Sequence, residues 1–264
     1  MKIGIVLILA AVAAGVGWGI WRGRQWDGRT QFTVISISSP VTVASFDPVT
    51  GTGIRLVLPD NLKIDAVGGK GTWQAGILEK AGRQWGDKWA ADSLADYLGI
   101  SYVGRTENLE LWDRIMWWWW SRQVKWQEVD LVNTVYLTSV RDPDGVEFER
   151  LGPTWPEKAQ DWFTSASLAK ETVNVSIINS TDVPGLGAHA ATVAENAGVR
   201  VVAVNNTAVE VGKCVLAGNA DMEAGLTGSW LTRVFGCRWQ VNSDPNPEIS
   251  LTVGSEYKKW WTGN

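Results

Sequence analysis

Residues 173–204 have the sequence VNVSIINSTDVPGLGAHAATVAENAGVRVVAV. β-Branched and other aliphatic residues dominate 174–179 and 199–205, which predicts two strands. Between them, a polar turn precedes an alanine-rich helix at 186–196 that a glycine ends. A strand, a helix and a second strand in this order predict an α/β fold.

The same alternation of elements continues along the chain. A helix is predicted over 222–235, and further strands are predicted at 213–218, 238–241 and 249–254. The resulting order, β-α-β-β-α-β-β, is typical of a small α/β domain with its own core, here assigned to residues 173–264.

Two cysteines, Cys214 and Cys237, border predicted strands of this C-terminal domain. In an oxidising compartment, a disulfide between them would add about 3 kcal/mol to stability in the chain-entropy model. Two buried thiols are the alternative, because the sequence does not fix the separation of the two Cα atoms.

A second, larger α/β domain is predicted over residues 25–155. It contains three short strands in succession, at 32–37, 41–46 and 53–58. A helix over 88–98, followed by Gly99, supplies the layer that covers them. Asp, Pro, Gly and Glu are frequent in 141–156, which predicts a loop, and a helical linker is predicted over 156–172.

Residues 109–125, LELWDRIMWWWWSRQVK, predict a helix with an unusual surface. The stripe expected to face the core consists of Leu109, Trp112, Ile115, Met116 and Trp119. Four consecutive tryptophans cannot all face one core, so part of their area is expected to meet lipid or a partner. The residues assigned to this contact are Trp117, Trp118, Trp119, Trp120, Arg114 and Arg122, because a basic segment suits an anionic membrane. A helix packed on the sheet, with two tryptophans on neighbouring loops, is the alternative.

The N-terminal segment 3–21 has no charged residue over 19 positions. At about 1.5 Å per residue it nearly spans a hydrocarbon core of roughly 30 Å. Trp18 and Trp21 precede two arginines, a pattern typical of an interfacial anchor and a charged stop. A transmembrane anchor over 1–24 is therefore predicted. A cleaved signal peptide is the alternative, but its small residues at 11–13 would give a peptide shorter than the usual ~15–30 residues.

The composition of the 264 residues restricts the function. The net charge is −4, whereas a general nucleic-acid binder needs a basic face that neutralises phosphates. His189 is the only histidine and there are two cysteines, too few for zinc-finger ligand sets. Neither a nucleic-acid partner nor a metal site is therefore expected, and His189 is expected to be satisfied or exposed on the C-terminal domain's first helix. The 18 tryptophans favour buried cores, aromatic-lined ligand sites or membrane interfaces.

The turn after residue 178 and the helix that follows it resemble the C-terminal domain attached to many LytR-CpsA-Psr envelope proteins. The V-x-N-[GS]-[ST] turn of that domain corresponds here to Asn179 and its neighbours. Its V-P-G-L-A turn corresponds to Pro184 and Gly185. The resemblance spans about Glu171 to Tyr257 and implies a cell-envelope protein. Turn chemistry alone explains these three residues, so a structural role is expected for them.

Residues 31–140 resemble, less closely, the LytR-CpsA-Psr catalytic domain. The resemblance implies transfer of a glycopolymer from a polyprenyl-pyrophosphate lipid to the cell wall, with arginines that clamp pyrophosphate and aspartates that help hold magnesium. When the two sequences are aligned on Pro59, the family's Arg-Asp pair corresponds to Asp60 and Asn61. Asp60 is an anion, so it would repel the pyrophosphate that the family's arginine attracts. Arg55 or Arg29 would reach the site only through a register shift. A degenerate domain is therefore expected.

We therefore expect a single-pass membrane protein of the cell envelope, with most of the chain outside the cytoplasm. The flanking basic residues taken alone favour the opposite orientation. The expected function is non-catalytic binding, without a cofactor, of a wall polymer, a polyprenyl-linked precursor or an envelope protein. One alternative is a weak phosphotransferase with magnesium that uses Arg55 and Asp60. The other is a scaffold or assembly subunit that contacts partners or membrane through the tryptophan-rich helix.

Overall fold

The computed structural model describes residues 23–132, 134–242 and 247–263, together with Gly15 and Gly19. The anchor predicted over residues 1–24 therefore lies almost entirely outside the described residues. Within the described ranges, no helix combines the length and the apolar character needed to cross a bilayer.

The N-terminal domain is built on a five-stranded sheet with the order β6-β1-β2-β3-β7. Its strands are β1 (Phe32–Ser36), β2 (Thr42–Asp47), β3 (Thr52–Val57), β4 (Lys63–Asp65), β5 (Thr72–Gln74), β6 (Gly104–Arg105), β7 (Lys125–Asp130), β8 (Leu137–Arg141) and β9 (Glu147–Leu151). Its helices are α1 (Leu78–Trp85), α2 (Asp87–Leu98), α3 (Leu111–Trp120), α4 (Trp155–Phe163) and α5 (Ala166–Glu171). The three predicted strands and the helix ending at Gly99 are confirmed.

Both faces of this sheet are covered. Ile35, Val43 and Ile54 lie on one face and share a core with α2 and α4. Phe32 and Phe46 point to the other face, where they pack with α3. Because side chains alternate along a strand and both faces are covered, β1 is buried at four successive positions. The sheet is thus the middle layer of three.

Two predictions for this domain were wrong in part. The predicted loop 141–156 contains β9, which forms a hairpin with β8, and the buried Phe148 holds this hairpin against the domain. The predicted linker 156–172 is divided between the two cores, since α4 packs with the first core and Leu168 of α5 packs with the second.

The C-terminal domain has the predicted order of strands and helices, except that two short helices replace the predicted helix 222–235 and a further helix follows the last strand. Its elements are β10 (Asn174–Asn179), α6 (Leu186–Asn196), β11 (Arg200–Asn206), β12 (Val215–Gly218), α7 (Ala220–Ala224), α8 (Leu226–Phe235), β13 (Arg238–Val241), β14 (Ile249–Val253) and α9 (Ser255–Thr262). The sheet order is β11-β10-β14-β12-β13. Strand β14 is parallel to β10 and antiparallel to β12, so the last strand lies at the centre.

Helix α9 returns from the C-terminal domain to the N-terminal domain. The N–H of Gly68 donates to the carbonyl of Trp261 at 2.9 Å. Gly69 lies so close to the carbonyl of Thr262, and Gly263 to that of Gly68, that a Cβ at either glycine would overlap a backbone atom. The close approach explains why glycine is required on both sides of this contact.

Candidate functional site

A cleft of about 860 Å³ lies between the two domains. Helix α2 and the segment around β6 form its N-terminal wall, and the end of α8 together with α9 forms its C-terminal wall. The volume falls in the range of small-molecule sites, which occur preferentially between domains. The cleft is therefore the candidate binding site of this chain.

Aromatic side chains form much of the C-terminal wall. The ring centroids of Tyr257 and Trp260 are 5.3 Å apart, and those of Phe235 and Tyr257 are 5.7 Å apart. Trp260 keeps 37% of its surface exposed. Burial, aided by the charge of Asp96, raises the pKa of Tyr257. Its hydroxyl thus stays protonated at neutral pH, which makes it a neutral hydrogen-bonding group beside apolar rings.

The N-terminal wall carries paired polar groups. Asp92 accepts hydrogen bonds from the Tyr102 hydroxyl at 2.6 Å and from the Lys88 ammonium at 2.7 Å. Burial, followed by the charge of Asp92, raises the pKa of Tyr102. Arg105 is ion-paired with Asp87 at 2.7 Å, and its buried Nε has no hydrogen-bond partner among the described residues. Most of the charge in this wall is therefore already neutralised by neighbours.

A second set of contacts fixes the two domains at the edge of the cleft. The Asp96 carboxylate is 2.5 Å from His189 Nε2 and accepts a 3.2 Å hydrogen bond from Trp261 Nε1. The rings of His189 and Trp261 are stacked with centroids 5.1 Å apart. His189 is thus satisfied, as the sequence analysis expected, but its partner comes from the other domain.

Arg233 of α8 makes the corresponding contact with the N-terminal domain. Its Nη2 donates to Asp27 Oδ2 at 2.7 Å. Burial by itself would raise the pKa of Asp27, but the charge of Arg233 and the N–H groups of Thr30 and Arg29 outweigh it. The pKa consequently lies below the ordinary 3.8.

This pKa shift predicts an acid-sensitive domain contact. A lowered folded-state pKa contributes stability that is present above about pH 4 and is lost as the pH falls through the folded-state value. Asp27→Asn is expected to cost about 1–2 kcal/mol at pH 7 and to remove this part of the acid dependence, as measured by urea unfolding at pH 7 and pH 3.

Asp182→Asn is the matched control for that experiment. The Asp182 carboxylate also pairs with a cation, Lys258, at 2.7 Å, and its pKa is also lowered. It is exposed and lies within one domain, so its substitution should change stability little. Equal losses for the two variants would contradict the domain contact as the source of the effect.

The two residues predicted as weak catalytic candidates lie outside the cleft. Arg55 pairs with Glu128 at 3.1 Å and lies 4.3 Å above the Trp126 ring. Asp60 is exposed in the turn after β3. Within the described part of the chain, no three His, Cys, Asp or Glu residues cluster as metal ligands.

The tryptophan-rich helix faces the core with a different set of residues from the predicted stripe. Trp117 and Trp120 pack against Phe46, with centroids 5.6 and 6.2 Å apart, whereas Ile115 and Trp119 are exposed. The predicted stripe was wrong at these two positions.

This rotation places a carboxylate in the interior. Asp113 is fully buried, and it accepts hydrogen bonds from the backbone N–H groups of Gln25 at 2.8 Å and Trp26 at 3.1 Å. Burial raises the pKa of Asp113. The two arginines lie at the helix surface: Arg122 stacks on the Trp118 ring at 3.8 Å, and Arg114 donates to the carbonyl of Leu109 at 3.0 Å.

The motif residues of the C-terminal domain build a turn. Asn179 Nδ2 donates to the carbonyl of Val183 at 2.9 Å, and its Oδ1 accepts from the N–H of Thr181 at 3.0 Å. Pro184 precedes Gly185, which has φ +83° immediately before α6. These observations place Asn179 in the turn and Gly185 at the start of the helix.

The structure joins Cys214 and Cys237 by a disulfide whose Cα atoms are 4.4 Å apart. Both residues are buried, and they lie next to the paired strands β12 and β13. The bond therefore closes the part of the domain that carries α7 and α8.

Sequence reasoning missed the cleft residues Tyr102, Arg105, Arg233, Tyr257 and Trp260. The three aromatic residues in SEYKKWWT (255–262) were a signal for the last two. Tyr102, Arg105 and Arg233 belong to no local sequence motif, and only the folded structure brings them together at the cleft.

Comparison with known proteins supports the C-terminal assignment. Residues 172–257 match the model of a family described as LytR cell envelope-related transcriptional attenuator. A crystal structure described as a transcriptional regulator from Enterococcus faecalis shares 9% identity, with 79% of this chain and 88% of that chain covered and a TM-score of 0.21. No curated protein matches the chain. The resemblance of residues 31–140 to a catalytic domain stays a prediction. The C-terminal domain is thus similar to the LytR C-terminal domain, which relates this chain to the cell envelope.

Proposed function

We propose that this chain is a membrane-anchored envelope protein that binds a glycan segment, of a wall polymer or of its lipid-linked precursor, in the cleft between its domains. The observation that carries the proposal is the cleft itself, with its volume of about 860 Å³ and its aromatic wall. The similarity to the LytR C-terminal domain supplies the envelope context.

The lining of the cleft favours a hydroxylated, weakly charged ligand. Exposed ring faces such as that of Trp260 can stack on the C–H faces of sugar rings, while tyrosine hydroxyls and carboxylates bond to sugar hydroxyls. Lys88, Arg105 and Arg233 already pair with carboxylates. A pyrophosphate would have to displace these carboxylates, so the cations of the cleft are not arranged to bind a polyanion.

Binding without transfer agrees with the positions of the catalytic candidates. A pyrophosphate clamp needs several guanidinium groups that converge on one anion. Arg55 instead pairs with Glu128 on the far side of the domain core from α2. Asp60 carries the wrong charge for a clamp and lines no part of the cleft.

An extracytoplasmic position for both domains is part of the proposal. The buried Cys214–Cys237 disulfide supports it, because disulfides persist in oxidising compartments and are rare in the cytosol. The uncharged segment 3–21 would provide the anchor.

The test uses the full chain in detergent micelles and isothermal titration with wall glycan fragments released by a muramidase. Trp260→Ala is expected to weaken binding at least tenfold, because it removes the most exposed ring of the aromatic wall. Trp119→Ala is the matched control: its ring is also exposed but lies on α3, outside the cleft, and its affinity should equal that of the unaltered chain.

Two outcomes would contradict this function. Equal affinities for Trp260→Ala and the unaltered chain would exclude the aromatic wall as the binding surface. Inorganic pyrophosphate that binds more tightly than the glycan fragments, and competes with them, would instead favour the phosphotransferase alternative.

A further inference from the structure

Helix α3 is apolar on two opposite faces. The inward face carries Trp117 and Trp120, which pack in the aromatic core described above. The outward face carries Leu111, Ile115, Trp118 and Trp119, which are 50%, 45%, 52% and 56% exposed. These positions are spaced i, i+4, i+7 and i+8, so they form one continuous stripe along the helix.

Such a stripe requires a covering surface. Helices that are apolar all round are usually buried in a core or a membrane, and contiguous exposed apolar patches mark interaction sites. Single exposed tryptophans need no such explanation, but two adjacent tryptophans with two aliphatic neighbours on one helix face do. Arg114 of the helix and Arg122, which follows its end, lie exposed beside the stripe.

Helix α3 is bound to the chain just after the N-terminal uncharged segment. Asp113, in the first turn of α3, binds the backbone N–H groups of Gln25 and Trp26. Only four residue steps separate Gln25 from Trp21, the last residue of the uncharged segment. At no more than about 3.6 Å per residue, four residues reach roughly 14 Å from Gln25, which α3 binds.

We propose that the outward stripe of α3 lies in the interface of the same bilayer that residues 3–21 enter, which deepens the proposed function and rests on its anchor. Trp118 and Trp119 would occupy the boundary between headgroups and acyl chains, where the amphipathic indole ring is favoured. Arg114 and Arg122 would reach lipid phosphates. The anchor and α3 together would then fix the orientation of the N-terminal domain on the membrane.

The test places the full chain in vesicles that contain a photoactivatable phospholipid and maps lipid adducts by mass spectrometry. Trypsin cleaves after Arg114 and Arg122, so residues 115–122 are released as one peptide that contains most of the stripe. This peptide is expected to carry adducts, and their yield should rise at least threefold when phosphatidylglycerol replaces part of the phosphatidylcholine.

Substitution supplies the second measurement. The double variant Trp118→Ser/Trp119→Ser should lower the adduct yield on this peptide at least tenfold with little change in thermal melting, because both rings are largely exposed. Trp260→Ala is the control and should leave the yield unchanged. If the double variant melts early, the adduct map of the unaltered chain still decides the question.

The outcomes separate this inference from the proposed anchor. Adducts confined to residues 1–24 would confirm the anchor and overturn the docking of α3. The absence of adducts from both segments would overturn both. Concentration-dependent crosslinks between chains at Trp118 or Trp119, in place of lipid adducts, would show that a second copy covers the stripe and would equally overturn the proposal.

Discussion

Replacement of Cys214 and Cys237 by alanine is expected to lower the free energy of unfolding by about 3 kcal/mol. The bond joins residues 23 positions apart, and its loss restores conformational freedom to that loop in the unfolded chain. Both positions are buried, so alanine rather than serine avoids burying an unpaired hydroxyl. Urea unfolding followed by circular dichroism measures the difference.

Reduction provides the control for the disulfide. Dithiothreitol should destabilise the unaltered chain by a similar amount, and it should leave the double alanine variant unchanged. If the reductant had no effect on either protein, the two cysteines would be packed as free thiols, which was the alternative left open by the sequence.

Trp117→Ala is expected to cost about 3 kcal/mol, the lower end for tryptophan truncation in a core. The ring contacts Phe32, Phe46 and Trp126, with centroid distances of 5.6, 5.6 and 5.8 Å. Its removal leaves a cavity between α3 and the sheet. Thermal and urea unfolding of the purified full chain in detergent measure the loss.

Trp119→Ala is the paired substitution. Trp119 lies two positions along the same helix with its ring exposed, so its truncation should change stability by no more than about 0.5 kcal/mol. Similar losses at both positions would mean that α3 has a different rotation from the one described, and would also remove the basis for a lipid-facing stripe.

The fold of the C-terminal domain could be predicted because its signals are local. The run NVSIIN, the Asn179 turn and the glycine after residue 197 each specify one element within a few residues. Helix α9 was missed because it has only eight residues, although Tyr257, Trp260 and Trp261 are spaced i, i+3 and i+4 within it. Its position depends on tertiary contacts, above all the hydrogen bond from Trp261 to Asp96.

The candidate site was much less predictable. Asp96 and His189 are 93 residues apart, and Asp27 and Arg233 are 206 residues apart. No short pattern can indicate that such residues meet across two domains. The rotation of α3 was equally hidden, because it buries an acidic residue, Asp113, whose partners lie 88 and 87 residues away. Hydrophobic periodicity assigns such a residue to the solvent side.

The central position of β14 has a consequence for how the C-terminal domain is made. Strand β10 is synthesised first and pairs along one edge with β14, which is synthesised last in that sheet. Until residue 253 has emerged, the nascent chain exposes an unpaired strand edge that is prone to pair wrongly. The sheet therefore closes only late, through contacts of high sequence separation, which slows its folding.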